Sequence, residues 1–297
     1  MEEIGNLSNG TLKEDFPEEQ GLKVNWEQFE SSIRELRQCH TSKRISSPLL
    51  FRGQGDAALG LQTTLERRNK SNMLFREYYS VISKIKPQIE AFTKERWDIP
   101  DFQAVLRLLE DYDSFSLNLD NGDFPAQQYM VYLRHHGFPS PFLDWTRSPY
   151  IAAYFAFSSQ GKPPQGEVSV YCFLDAAENS KVTSSREPVI RRLGVSLRCH
   201  PRHFLQQADY TVCLCDALNR FGNHEDVVYE RPNPPLYGGR KMPRQYRLWK
   251  FILPWTEREK VLRALNDFNL NAFSLFQSEE ALMETMAVSE LDSALKL

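Results

Sequence analysis

The stretch Phe51-Arg52-Gly53-Gln54-Gly55-Asp56 closes a short apolar run, Pro48-Leu49-Leu50-Phe51, and sets a guanidinium at its mouth. As a strand, the run buries its leucines and leaves Arg52 where packing gives way to flexible backbone. Arg52 carries five donors in a planar fork, matched to phosphates and carboxylates. Gly53 and Gly55 have no β-carbon, so a ligand or a second backbone segment has room to approach. The same pattern fits an arginine that ties two loops together through carbonyls or a buried carboxylate.

Upstream of this strand, Asn25 is placed to cap a helix with Trp26, Phe29, Ile33 and Leu36 on one face. Downstream, a helix start falls at Thr63 or Thr64. Helical spacing then runs from about Met73 to Asp113, with breaks expected at Pro87 and Pro100. Pro125 suits the first position of another helix that stops at Gly137. Phe142–Thr146 reads as a short strand, followed by Ser148 as N-cap and Pro149 as first residue of a helix through Ile151, Tyr154 and Phe155. Such a junction leaves backbone N–H groups pointing at one spot, suited to an anion. Strands are expected at Val168–Leu174, Asp209–Leu214 and Tyr246–Leu253. A capping box at Thr256 and Glu259 opens a helix with Val261, Leu262, Leu265 and Phe268 inward, and a final helix follows Ser278. The fold class is therefore α+β. A small, mostly antiparallel sheet core carries a large helical insertion after its first strand, about residues 63–137, and a helical C-terminal cap. Residues 1–22 read as a flexible lead-in, 23–285 as one domain and 286–297 as a tail.

The 297 residues are 41% hydrophobic and 25% charged, with net charge -3. That is ordinary for a globular chain and lacks the basic excess of a broad nucleic-acid-binding face. A local basic cluster at Arg191, Arg192, Arg202 and His203 leaves nucleic-acid binding as an alternative. The apolar stretch Tyr150–Phe157 is too short to cross a bilayer, and the acidic start lacks the order of a secretory signal, so a cytoplasmic protein without a membrane partner is expected. Five cysteines without regular spacing make neither a disulfide framework nor a convincing zinc site, and no metal is expected.

These blocks, in this order, resemble the FRG-domain family: Phe51-Arg52-Gly53-Gln54, then His136-Gly137-x-Pro139 with Leu143-Asp144-Trp145-Thr146-x-Ser148-Pro149, then Arg202 with Gln206-Gln207 and Tyr210-Thr211. The tail Asn271-Ala272-x-Ser274-Leu275-Phe276 fits as well. A looser similarity is to ADP-ribosyltransferases, which implies NAD as donor, an unidentified macromolecular acceptor, and a place in bacterial toxin action or antiviral defence. By that resemblance Arg52 holds the pyrophosphate, Thr146 with Ser148 forms the hydroxyl motif, and Gln206 or Gln207 stands near the glutamate position. The catalytic set is then Arg52, Ser148 and Gln207. Phe51, Gly53, Gln54, His136, Asp144, Trp145, Thr146, Tyr154, Arg202 and Gln206 bind the ligand, with Trp145 or Tyr154 stacking the nicotinamide. An amide in place of the acid departs from the pattern, because a carboxylate stabilises an oxocarbenium-like transition state far better than a dipole. Asp144, Glu167 and Asp209 are candidates for the missing charge. The alternative is a module that senses a nucleotide or phosphoryl ligand without chemistry.

Overall fold

Asn25 caps helix α1 (Trp26–Ser42) by reciprocal bonds: its side chain accepts from Gln28 N, and the Gln28 side chain accepts from Asn25 N. The apolar spacing then turns Phe29, Ile33 and Leu36 into the core. The computed structural model describes residues 21–70, 73–111, 115, 124–159, 161–175, 188–193, 201–218, 224–229 and 246–294. Within them lies one mixed eight-stranded sheet: β1 (Leu22–Lys23), β2 (Leu49–Gln54), β3 (Leu143–Thr146), β4 (Glu167–Asp175), β5 (Val189–Arg192), β6 (Ala208–Leu218), β7 (His224–Tyr229) and β8 (Tyr246–Pro254). The order is β1-β8-β4-β2-β3-β6-β5, with β7 on the far half of β6. Among the described strands only β1–β8 is parallel, so the sheet is mostly antiparallel, as expected.

Between β2 and β3 the insertion contributes α2 (Phe75–Thr93), α3 (Phe102–Leu109) and α4 (Gln127–His135). Pro87 does not interrupt α2. Although proline removes a backbone donor, the helix is held by its buried Phe75, Tyr78, Tyr79 and Ile82, with Phe75 stacked on Tyr229 of β7. Helix α4 starts at Gln127 rather than Pro125, because Ala126 at the N-cap adopts a left-handed backbone (φ 57°). It ends where expected, with Gly137 at φ 84° supplying the turn. Thr63 starts only a short 3-10 turn, Glu66–Arg68, bridging to Glu66 in both directions.

Helix α5 (Pro149–Phe157) is capped by Ser148, whose Oγ accepts from Ile151 N. It is apolar on nearly every side because it lies between the sheet and the C-terminal helices. Those are α6 (Arg202–Leu205), α7 (Arg258–Asp267), α8 (Ala272–Phe276) and α9 (Glu279–Ala294), of which α6 precedes β6. The capping box at Thr256 does not form. Thr256 sits in a 3-10 turn, and Glu257 at the N-cap accepts instead from Trp26 N, stitching the cap to α1. Phe268 is 70% exposed, because α7 stops one residue earlier and Asn269 turns left-handed. Among the described residues no helix is long and apolar enough to cross a membrane.

Strand β2 lies against β4 over six residue pairs but meets β3 at one, Phe51 opposite Thr146. The sheet therefore splits beside Arg52, and a hollow opens at the split.

Candidate functional site

Where β2 and β3 part, backbone groups lose their ladder partners and must find others. Arg52 supplies one: its Nη1 donates to the Asp144 carbonyl at 2.8 Å. Asp144 in turn is gripped by Arg134, whose Nε lies 3.1 and 3.0 Å from the two carboxylate oxygens and whose Nη2 bonds Oδ2 more closely still. Arg134 Nη1 also donates to Thr64 Oγ1, so this arginine is fully engaged. Arg52 is not. Its Nη1 is 3.9 Å from Asp144 Oδ2, and its Nε is buried with no hydrogen-bond partner.

These groups line a cavity of about 700 Å³, the size of small-molecule sites. Its walls come from β2, the ends of α4 and α5, β3, β6, α6 and α8. Four arginines (52, 67, 134 and 202) face two aspartates (56 and 144), so the hollow is locally basic in a chain of net charge -3. Arg67, at the rim, makes no side-chain ion pair or hydrogen bond among the described residues. Burial pushes the Arg52 guanidinium down to about 10; Asp144 counters this, while Arg134 and Arg67 add to it. Arg52 thus remains cationic at neutral pH but under-compensated.

Asp144 behaves oppositely. Burial alone would raise its carboxyl pKa, but Arg134, with help from Arg52, holds it below the usual carboxylate range. It is an ionised clamp member rather than a poised base. Of the other proposed carboxylates, Asp209 is fully buried and bound by Arg192 at 2.7 Å and Arg147 at 3.5 Å, and Glu167 pairs with Lys23 at 2.7 Å. Neither lines the cavity. Asp56 does, and its Oδ1 accepts from Ala58 N.

Nine of the thirteen residues proposed from sequence come together here: Phe51, Arg52, Gly53, Gln54, Asp144, Trp145, Thr146, Arg202 and Gln206. Several are committed to the scaffold. Trp145 donates to Thr211 Oγ1 and packs 5.3 Å from Phe173. Thr146 Oγ1 donates to the Gln206 carbonyl and accepts from Ser148 N. Gln54 Nε2 donates to Gly60 O, and Gln206 Nε2 to Leu275 O. Ser148, Gln207, His136 and Tyr154 are not among the lining residues. Ser148 is spent on its cap. Gln207 is exposed with φ 46°, its carbonyl accepting from Arg147 N, and His136 is exposed against Tyr132. Tyr154 lies with α7 and α9.

His135 does line the cavity and meets the Tyr210 hydroxyl at 2.8 Å; that hydroxyl also meets His203 Nδ1 at 3.3 Å. Burial lowers the His203 pKa, with Asp209 opposing and Arg147 adding to the shift. Because the unfolded imidazole titrates near 6.5 while the folded one resists protonation, this contribution to stability is complete above that pH and is lost as pH falls below it. The melting temperature is expected to drop between pH 7.5 and 5.5, and His203→Gln to flatten that slope; equal slopes in both proteins would refute the linkage. Arg191, Arg192 and His203 do not share one basic face: Arg192 binds Asp209, His203 is buried against the Tyr210 hydroxyl, and Arg191 is buried near Tyr246. Cys199 and His200 lie outside the described residues, and among those described no three metal-capable side chains cluster.

Residues 47–165 match the FRG domain family model. The chain carries an FRG domain. No curated protein and no solved structure matches the chain. The FRG domain supplies Arg52, Arg67, Arg134 and Asp144, whereas Arg202, Gln206, Tyr210 and Phe276 reach the same cavity from beyond its matched limits. Arg67, Arg134, Asp56 and Phe155 were not singled out as site residues from sequence. Arg134 had one signal: a cation in the last turn before Gly137, close to an expected Asp144 strand.

Proposed function

We propose that this FRG domain binds a phosphate-bearing nucleotide, NAD among the candidates, with Arg52 as the anion anchor. The single observation that carries the reading is a guanidinium that lines a sizeable cavity while making, among the described residues, one hydrogen bond, from Nη1 to the Asp144 carbonyl. A charge-assisted hydrogen bond to such a donor contributes about 1.5–3 kcal/mol, the more so in a partly dry site. Arg67 adds a second cation at the rim without competing for the same acceptor. This places the nucleotide-sensing alternative first, since sensing needs no dedicated carboxylate base.

ADP-ribosyl transfer is the second reading, favoured by Asp56, a carboxylate lining the cavity whose one side-chain hydrogen bond among the described residues is to Ala58 N. In that reading Asp56, rather than Gln207, stabilises positive charge developing on the ribose. A role as toxin or antiviral effector rests only on the likeness to ADP-ribosyltransferases.

Incubation with NAD, with binding followed by calorimetry and nicotinamide release by chromatography, separates the two readings. Binding without release is the expected result, unchanged in Gln207→Ala and weakened about tenfold or more in Arg52→Ala. Release that Asp56→Asn abolishes would establish cleavage of the nicotinamide–ribose bond, and ADP-ribose recovered on an acceptor rather than free in solution would establish the transferase. Failure of NAD, ADP and pyrophosphate all to bind would remove the proposal.

A further inference from the structure

The cavity has an aromatic corner at the end furthest along the sequence from Arg52. Phe155, from the last turns of α5, meets Phe276 of α8 edge to face, with centroids 6.0 Å apart and planes at 85°. The Arg202 guanidinium lies over the Phe276 ring, its Cζ 5.5 Å from the centroid. All three line the cavity and neither phenylalanine is buried from solvent. The corner is pre-set rather than loose. Gln206 Nε2 donates to Leu275 O beside Phe276, Asn271 caps α8 through Ser274 N, and Phe273 N donates to Thr285 Oγ1 on α9.

We propose that this corner is the subsite for the heteroaromatic ring of the bound nucleotide; the proposal rests on the phosphate reading of Arg52. Two perpendicular phenyl rings offer one planar guest a face to stack on and an edge to abut, the arrangements aromatic pairs prefer. The planar cation of Arg202 extends the platform, since guanidinium planes also stack on bases. No directional donor set is needed, so the corner grips any ring with a π-face and contributes affinity more than base identity. Trp145 and Tyr154 do not serve this purpose: the Trp145 indole is 3% exposed and fixed by Thr211, and Tyr154 is outside the lining. Because Phe276 and Arg202 lie outside the FRG match and Phe155 within it, the ring subsite is shared between the FRG domain and the C-terminal segment, while the phosphate site belongs to the FRG domain itself.

Calorimetric titration with ADP and, separately, with pyrophosphate tests this on the full chain, Phe276→Ala and Phe276→Leu. Phe276→Ala is expected to weaken ADP about tenfold or more while leaving pyrophosphate within about twofold, and Phe276→Leu to fall between. Thermal melts of each variant check that α8 stays folded. A loss of less than about twofold for ADP, or equal losses for both probes, would overturn the ring subsite while leaving the phosphate reading intact. Wild-type protein that binds pyrophosphate as tightly as ADP would do the same. Wild-type protein that binds neither probe would overturn both.

Discussion

Gly53→Ala is expected to destabilise the fold severely, whereas Gly55→Ala, two residues on, is expected to be tolerated. A β-carbon on Gly53 would overlap the Ala152 carbonyl oxygen and come within 2.7 Å of Ala156 N, both main-chain atoms of α5. Backbone does not yield as a side chain does, so β2 and α5 would have to separate, opening the packing around Phe51, Ala152 and Ala156. Overpacking costs about 1–3 kcal/mol where side chains can adjust. Against a helix backbone, about 3 kcal/mol or more is expected, a large part of a typical total of about 5–15 kcal/mol. At Gly55 the added carbon meets Ser159, 3.0 Å from its Oγ and 3.1 Å from its Cβ, with the Ala156 carbonyl at an ordinary 3.7 Å, so a shift of a few tenths of an ångström at Ser159 relieves the contact. Paired thermal melts check this. Similar small shifts in both variants would mean that the close approach of α5 to β2 does not require glycine.

Arg134→Ala carries the second large effect, on stability and binding together. Removing one partner of a buried pair leaves the other uncompensated, at about 3–5 kcal/mol for full burial. The Asp144 side chain retains 37% exposure, so about 2–3 kcal/mol is the discounted expectation here. The Thr64 hydroxyl loses its donor as well. The carboxylate left behind then draws Arg52, already 3.9 Å away, out of the cavity. Anion affinity should fall in the variant although Arg134 itself is saturated in the wild type. Asp144→Asn with Arg134→Ala removes that competing charge, and should recover part of the affinity. Chemical denaturation and pyrophosphate titration measure the two effects. Loss of stability with affinity unchanged would show that Arg52 does not move.

Much of this site was legible because a few residues carry unambiguous local chemistry. Ser148-Pro149 suited a helix start, Gly137 a helix end, and Arg52 beside two glycines either an anion anchor or a tie to a neighbouring carbonyl. The FRG-like blocks also draw β2, β3 and α6 into one neighbourhood. The rest depended on geometry that a sequence does not record. Ser148 and Gln207 look like cavity hydroxyl and amide in one dimension, but one is absorbed by a cap and the other turned outward by a left-handed backbone. Thr256 has capping-box spacing, yet Glu257 finds a better partner 231 residues away in α1. Pro87 should break a helix, and does not because burial of four aromatic and aliphatic side chains outweighs one missing hydrogen bond. Phe276 belonged to a recognised motif, but only the packing of α8 on α6 turns that motif toward the cavity.

The most direct measurement is pyrophosphate binding by Arg52→Met beside the thermal melt of the same protein. Methionine keeps most of the buried volume and removes a guanidinium whose charge the fold under-compensates. The expected result is at least about a tenfold loss of affinity with a melting temperature equal to or above that of the wild type. A variant that binds pyrophosphate normally, or that melts much lower because the Asp144 carbonyl alone needed Arg52, would contradict it.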